Sequence, residues 1–134
     1  MEHRFKREIV SLSKIFEFIG SFAEANALND ANIFLMNFVV EEVFTNMVKY
    51  NPKSDHDILI GVERQNNKLV ITLTDFDTEP FDLTKTGDVD IHQSLKERKV
   101  GGLGIHLARK MVDTVDYEYK DRQSKVTLTK TLEK

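Results

Sequence analysis

The sequence predicts an α+β fold, a two-layer α/β sandwich in which helices cover one face of a mainly antiparallel, mixed sheet. Two observations lead to this prediction. Apolar residues recur at helical spacing in three segments, and they alternate in shorter segments joined by turn residues. The order helix, helix, hairpin, loop, helix, hairpin is typical of α+β domains, because each amphipathic helix buries its apolar stripe against the sheet.

The composition indicates one globular domain. The 134 residues fall within the commonest range of domain sizes, so residues 1–134 are expected to form a single domain. Hydrophobic residues make up 40% and charged residues 31%, which is ordinary for a folded chain and unlike a disordered one. The sequence has no cysteine, which excludes disulfides and thiolate metal sites.

Charge and hydropathy patterning indicate a cytoplasmic protein. The net charge of −3 gives no general attraction to nucleic acid or to anionic membranes. No apolar run reaches the roughly 18 residues of a membrane helix, and the N-terminus is charged where a secretory signal would become apolar. We therefore expect a cytoplasmic location, with neither a membrane nor a direct nucleic-acid partner.

The first two elements are an edge strand and an amphipathic helix. Residues 4–10 mix charged and apolar side chains, which suits a short strand at the edge of a sheet. From Ser11 the apolar residues take helical spacing as far as residues 25–26. Ser11 and Ser13 are both available as the N-cap of this helix.

The second helix is expected to begin at the capping segment 29–32 and to run to about Tyr50. It is apolar on nearly every side, which is typical of a buried helix. Its polar exceptions cluster near the C-terminal end: Glu41, Glu42, Thr45, Asn46 and Lys49.

The second half of the chain predicts two hairpins separated by a long loop. Alternating apolar residues indicate a hairpin over 58–73, with its turn at 65–68 and a preceding turn at 51–55. Residues 76–100 are polar and irregular, with at most a short helix near 91–98, and a loop of this length is usually a lid or a binding loop. The remaining predicted elements are a third helix and two strands, over residues 105–112, 117–120 and 126–132.

Glu42 and Asn46 are the first candidates for chemistry. Four residues apart, they lie on one face of the second helix, one turn from each other. A carboxylate in so apolar a helix should border a cavity or meet a partner, and an amide oxygen is a suitable ligand for Mg²⁺. Taken alone, however, this spacing is common and favours a solvated helix end in which the two residues meet.

Asp75 is the second candidate. Period-2 geometry places it on the same side of its strand as Leu69, Ile71 and Leu73, which form the core face. An acceptor there would complement the exocyclic amine of an adenine. The alternative, left open by the pattern, is an aspartate that caps the turn it begins.

A glycine-rich turn at residues 101–104 is the third candidate. Three of the six glycines, Gly101, Gly102 and Gly104, fall in these four positions. They stand just before a helical pattern, where free backbone N–H groups and the helix dipole favour an anion such as phosphate. Glycines also open helices for conformational reasons, and it is the long polar loop before them that adds weight to the phosphate interpretation.

In this order and spacing the motifs resemble those of the GHKL ATPase superfamily, whose nucleotide-binding domain has the Bergerat fold of the histidine kinases. The chain is most similar to the bacterial anti-sigma-factor serine kinases in three phrases: Val40-Glu41-Glu42-Val43-Phe44-Thr45-Asn46, Pro80-Phe81-Asp82 and Gly101-Gly102-Leu103-Gly104-Ile105-His106-Leu107. The resemblance covers nearly the whole chain. It implies a histidine kinase-like ATP-binding domain with ATP and Mg²⁺ as cofactors.

The resemblance implies roles for three residues of the second helix. Glu42 would be the general base that takes a proton from the attacking hydroxyl. Asn46 would coordinate the Mg²⁺ that bridges the phosphates, and Lys49 would be a neighbour of the phosphates.

It also implies roles for the base-binding and phosphate-binding sides of the nucleotide. Asp75 would bind the adenine amine, and Thr127 would supply a hydroxyl beside the adenine. Gly102 and Gly104 would give the hinge of a lid and the backbone amides that hold the phosphates.

One segment departs from the family pattern. The Asp-x-Gly-x-Pro box is represented by residues 75–80, with Asp77 where glycine is expected and one extra residue before Pro80. Aspartate tolerates unusual backbone angles better than most residues. Its negative charge is expected to weaken the binding of a polyanion unless the side chain points away.

The resemblance implies an ATP-dependent protein-serine kinase and anti-sigma factor, a transferase in transcription regulation. Its partners would be an antagonist protein with a phosphorylatable serine and a sigma factor, and a homodimer is possible. Phe5, Ile9 and the first helix are candidate partner surfaces. The alternative is a GHKL-like module that binds protein partners with weak or no ATP binding and no kinase activity.

Overall fold

Five strands form one sheet in which helices cover a single face. The computed structural model describes residues 1–50, 54–78 and 102–132. The strands are β1 (Glu2–Phe5), β2 (Ile58–Gln65), β3 (Lys68–Asp75), β4 (Thr114–Lys120) and β5 (Gln123–Thr131). Their order across the sheet is β1-β2-β3-β5-β4. The predicted α+β class is confirmed, and the four ladders of the described residues are all antiparallel rather than mixed.

Within the described residues, three helices make the second layer. They are α1 (Leu12–Ala25), α2 (Asp30–Tyr50) and α3 (Gly102–Met111), and a single 3₁₀ turn, Ile9–Ser11, precedes α1. The helix α2 packs against α1, α3 and β3. It is therefore the central helix of the layer, and its C-terminal end lies over the sheet.

The core is set by the pairing register of the strands. Ile60 lies opposite Leu73, which in turn lies opposite Val126, and all three side chains are fully buried. Because side chains alternate between the two faces of a strand, this register places one face of the sheet under the helices and leaves the other polar. The predicted hairpin over 58–73 is confirmed, and its turn contains Asn66 with a left-handed φ of 58°.

The N-terminal elements differ in detail from the prediction. The edge strand is present but covers Glu2–Phe5, and it is followed by the 3₁₀ turn. The predicted capping role of Ser11 is wrong, since its hydroxyl donates to the carbonyl of Lys6 at 2.8 Å and accepts no helical N–H. Ser13 likewise donates to the carbonyl of Val10 at 3.3 Å.

The second helix begins and ends as predicted, but it is not buried all round. The Asn29 side chain accepts the N–H of Asn32 at 2.9 Å, which is the expected N-cap. The helix buries one wide stripe, while Phe34 is 66% exposed. Since the sheet and two neighbouring helices cover only one side of α2, the opposite side remains open among the described residues.

Several predictions fall outside the described residues. They are the start of the turn at 51–55, the loop from residue 79 to 100 with its short helix near 91–98, the Pro80-Phe81-Asp82 phrase, and Gly101. The two closing strands are confirmed with wider bounds, and they are joined by a two-residue turn in which Asp121 and Arg122 both have positive φ. In the part of the chain that the structure describes, no helix has the length and apolar character needed to cross a membrane.

Candidate functional site

A small cavity lies between the C-terminal end of α2 and strands β3, β4 and β5. Its lining residues come from all four elements and from the segment after β3: Met47, Tyr50, Asp75, Thr78, Tyr117, Ser124 and Val126. Its free volume is about 10 Å³, which is room for roughly one water molecule. The cavity thus brings Asp75 together with the C-terminal end of the second helix.

Asp75 lies on the core side of β3, as the alternation predicted, and is only 3% exposed. Its carboxylate accepts hydrogen bonds from the Arg7 guanidinium and from the backbone N–H of Phe76. Burial raises the pKa of this carboxyl, and the charge and hydrogen bond of Arg7 oppose that rise. The result is a desolvated acceptor in the cavity wall, held by a cation.

Arg7 is a part of the site that the sequence did not reveal. Its side chain is 4% exposed, and it donates to three segments that are distant along the chain. Nη2 bonds Asp75, Nη1 bonds the carbonyl of Met47 at 2.9 Å, and Nε bonds the carbonyl of His56 at 3.3 Å. No local pattern marks one arginine in a charged N-terminal segment as the partner of a carboxylate 68 positions later.

The hydroxyl beside Asp75 belongs to Ser124, while Thr127, predicted to lie beside the adenine, is not among the residues that line the cavity. Ser124 is the direct partner of Asp75 in the β3–β5 ladder and lines the cavity. It also shares a hydrogen bond of 3.1 Å with the Tyr117 hydroxyl. Thr127 pairs with Thr72 and lies on the opposite face of the sheet, because it is three positions after Ser124 and side chains alternate between the two faces along a strand.

Asp77 adopts the conformation that a glycine would. Its φ is 52°, in the left-handed region that aspartate tolerates better than most residues. Its carboxylate accepts from Arg122 Nε at 2.8 Å and lies 3.7 Å from His56 Nε2. The hydrogen bond from Arg122, more than any other interaction, lowers the pKa of Asp77. The charge is therefore paired, and the side chain does not line the cavity.

The residue after Asp77 ties the end of β3 to the last hairpin. The backbone N–H of Thr78 donates to the carbonyl of Arg122 at 3.0 Å. The Thr78 carbonyl accepts from the Tyr119 hydroxyl at 2.7 Å. The first residues of the predicted loop are thus anchored to β4 and to the turn after it.

Glu42 and Asn46 lie one turn apart and half-buried on α2. The Asn46 side chain donates to the backbone carbonyl of Glu42 at 3.0 Å, so the two residues do meet. Burial raises the pKa of Glu42, the negative charge of Glu41 adds to the rise, and Lys49 opposes it. A raised carboxyl pKa suits a general base, which works best when its pKa approaches the working pH.

The polar side chains of α2 suit a Mg²⁺ ion that is also bound by phosphates and water better than a metal ion bound by protein side chains alone. The Asn46 amide nitrogen is occupied by the Glu42 carbonyl, so its oxygen is the atom that suits a hard cation. Among residues 1–50, 54–78 and 102–132 no three histidine or carboxylate side chains cluster around a possible metal. Mg²⁺ usually takes only one or two protein ligands and completes its shell with phosphates and water.

The helix α3 begins at Gly102, earlier than the predicted 105. Gly102 and Gly104 therefore lie in its first turn rather than before it, where backbone N–H groups have no partner within the helix. Such amides favour anions. The hinge role of these glycines stays a prediction. Lys49 is exposed in the last turn of α2, where its charge acts on Glu42.

Comparisons with known proteins identify the family and the fold of the chain. A family model described as the histidine kinase-like ATPase domain matches residues 5–130. The serine-protein kinase RsbW of Listeria monocytogenes is 30% identical over 131 residues, covering 93% of this chain and 81% of RsbW. A chain in the crystal structure of the SiaB–SiaC complex from Pseudomonas aeruginosa shares the fold, with a TM-score of 0.65 and 11% identity over 98% of this chain and 88% of that one. The chain belongs to the family of histidine kinase-like ATPase domains.

Proposed function

We propose that this protein is an ATP-dependent protein-serine kinase that acts on, and binds, regulatory protein partners. The observation that carries the proposal is the position of Asp75. A buried carboxylate lines a cavity at the end of the helix that bears Glu42 and Asn46. In this arrangement β3 can bind the base through Asp75, and α2 can act on the phosphates through Glu42 and Asn46.

The base would be recognised by the cavity wall in a more open form of the cavity, since its present free volume of about 10 Å³ has room for only about one water molecule. The Asp75 carboxylate accepts a hydrogen bond from the exocyclic amine of adenine, and a carboxylate has enough acceptor sites to do so beside Arg7. Ser124 and Tyr117 supply hydroxyls on the same wall, while Met47 and Val126 supply its apolar surface. An apolar wall with few polar groups is the usual design of a small-molecule site.

The phosphates would lie toward α3 and the polar end of α2. The amides of Gly102 and Gly104 bind phosphate oxygens, and Asn46 holds Mg²⁺, which neutralises charge on the phosphates when bound. Glu42 accepts the proton of the attacking serine hydroxyl. Phosphoryl transfer depends mainly on positioning and charge stabilisation, so these few groups suffice.

A protein partner is supported by the relatives. RsbW is named as a serine-protein kinase, and the structural neighbour comes from a complex of two proteins. We propose an antagonist protein with a phosphorylatable serine as the substrate and a sigma factor as a second partner, in the cytoplasm. A homodimer is compatible with both roles.

Nucleotide binding is tested by thermal shift with Mg-ATP. Ligand at 100 times its dissociation constant adds about 2.7 kcal/mol to the free energy of unfolding. We expect this stabilisation for the native protein and its loss in Asp75→Asn, which keeps the side-chain shape but replaces one acceptor oxygen with a donor. Glu42→Gln should still bind nucleotide while its ATP hydrolysis rate falls by about 10²-fold or more, the usual contribution of a general base.

The control is the melting temperature of each variant without nucleotide, which separates folding from binding. If the native protein shows no shift with saturating Mg-ATP, the kinase proposal is wrong.

A second candidate is a partner-binding module without ATP chemistry. It is favoured by one observation, since the cavity has a free volume of only about 10 Å³ and Asp75 already has a cationic partner. This module would retain its protein partner and show no nucleotide-induced change in melting temperature. The thermal-shift experiment therefore separates the two candidates.

A further inference from the structure

We infer that Arg7 is a positioning residue for base recognition, which holds the Asp75 carboxylate in place from outside the cavity. This inference rests on the proposed nucleotide-binding function. It adds to that function a specific role for the segment between β1 and α1, which contributes nothing to the cavity wall itself.

The geometry of the guanidinium supports this role. It uses three separate nitrogens on three acceptors, at the ends of α2 and β3 and just before β2. Two of the acceptor residues, Met47 and Asp75, line the cavity, whereas Arg7 and His56 do not. A planar fork of five N–H donors is suited to such bridging, and a lysine is not. Arg7 therefore fixes the spacing between the two walls that would hold a base.

The same contacts set the direction of the carboxylate. Oδ1 of Asp75 is bonded to Arg7, and the carboxylate also accepts the backbone N–H of Phe76. A carboxylate has about four acceptor sites, so sites remain for a ligand on the cavity side. An arginine that blocked the site would itself form part of the cavity wall. Arg7 does not, and this argues for a support behind Asp75 rather than a plug in front of it.

Removing Arg7 changes the proton affinity of Asp75 in a predictable direction. Burial raises the pKa of Asp75, and Arg7 is the main opposing influence, with His56 a lesser one. On the cavity side the facing groups are the hydroxyls of Tyr117 and Ser124 and the side chain of Tyr50. Without Arg7 the pKa rises further, so the carboxylate is protonated at a higher pH and stops accepting the base amine there.

The test compares Arg7→Met with Arg7→Lys by calorimetric titration of Mg-ADP across mildly acidic to mildly basic pH. The matched control is Arg64→Met. Arg64 also donates from Nε and Nη1 to backbone carbonyls, those of Asn66 at 3.2 Å and Asn26 at 2.7 Å, but it lies away from the cavity. It therefore reports the general effect of losing an arginine that bridges elements.

We expect Arg7→Met to weaken Mg-ADP binding by about tenfold or more at neutral pH, the size expected when a charge-assisted contact is lost. Its affinity should also begin to fall at a higher pH than that of the native protein. Arg7→Lys should keep the native pH profile with an intermediate affinity, and Arg64→Met should match the native protein in both.

Native affinity together with a native pH profile in folded Arg7→Met would overturn the inference. If Arg7→Met does not fold, Arg7→Lys decides, because an ammonium cannot bridge the three acceptors at once, and an unchanged dissociation constant would then refute the role. A native protein that does not bind Mg-ADP at all would refute the proposed function instead. The two failures are thus distinguishable.

Discussion

At the scale of single residues, Glu42 shows how a helix can tune a carboxylate. It lies beside Glu41 in sequence, one turn from Asn46, and within the field of Lys49. The burial of its side chain raises its pKa, and the neighbouring negative charge raises it further. A general base must be ionised to accept a proton, so its pKa sets the acid side of the pH–rate profile.

Glu41→Gln should move the acid limb of the ATP hydrolysis profile to lower pH. The substitution removes a charge that disfavours the ionised form of Glu42, so the pKa of Glu42 falls. The measurement is the hydrolysis rate against pH. Glu24→Gln serves as the control, because Glu24 is exposed near the end of α1 and is not among the charges that act on Glu42. An acid limb that stays in place would exclude Glu42 as the titrating base.

At the scale of elements, α2 both fills the core and carries the proposed chemistry. Phe44 is fully buried, whereas Phe34 is exposed on the same helix and stacks on Phe38. The two phenylalanines therefore show that an apolar residue of α2 contributes to the core only where it lies on the buried side of the helix.

Phe44→Ala should lower the free energy of unfolding by about 3–5 kcal/mol, the usual cost of deleting a buried aromatic ring. Phe34→Ala should cost at most about 1 kcal/mol, since it removes an exposed ring and one stacking contact. Urea denaturation of both variants measures the difference. Equal losses would contradict the burial of α2 as described.

The elements also show how far the sequence could predict the site. Alternation along β3 was enough to place Asp75 on the core face, and Asn29 was recognisable as a cap. Thr127 stands between the buried Val126 and Leu128, so alternation along β5 places it on the other face. The pairing of Ser124 with Asp75 depends on the register between β3 and β5, which neither strand encodes alone. Arg7 depends on a contact between distant segments, and the start of α3 at Gly102 reverses the usual reading of glycine as a helix breaker.

At the scale of the whole molecule, the carboxyl groups contribute to stability with opposite signs as pH changes. Hydrogen bonds lower the pKa values of Asp77 and Asp113, so these groups stabilise the fold above the ordinary aspartate range, and the effect is lost as pH falls. Burial raises the pKa values of Asp75 and Glu42. Their contribution has the reverse sign, being greatest in acid and lost as pH rises through the folded-state pKa.

Asp113→Ala should lower the melting temperature at neutral pH and have little effect in strong acid. The Asp113 carboxylate accepts the N–H of Thr131, and this bond exists fully only while the group is ionised. The measurement is the melting temperature of both proteins at the two pH values. Asp116→Ala removes the same charge from an exposed position of β4 and controls for net charge. A difference between the native protein and Asp113→Ala that persists in acid would point to lost packing instead.

The pairing of Asp77 with Arg122 links two positions of the sequence that belong to different turns. Without a basic residue at position 122, the Asp77 carboxylate would keep only its longer contact with His56. We therefore expect substitutions at positions 77 and 122 to have non-additive effects on stability, as is usual for residues in direct contact.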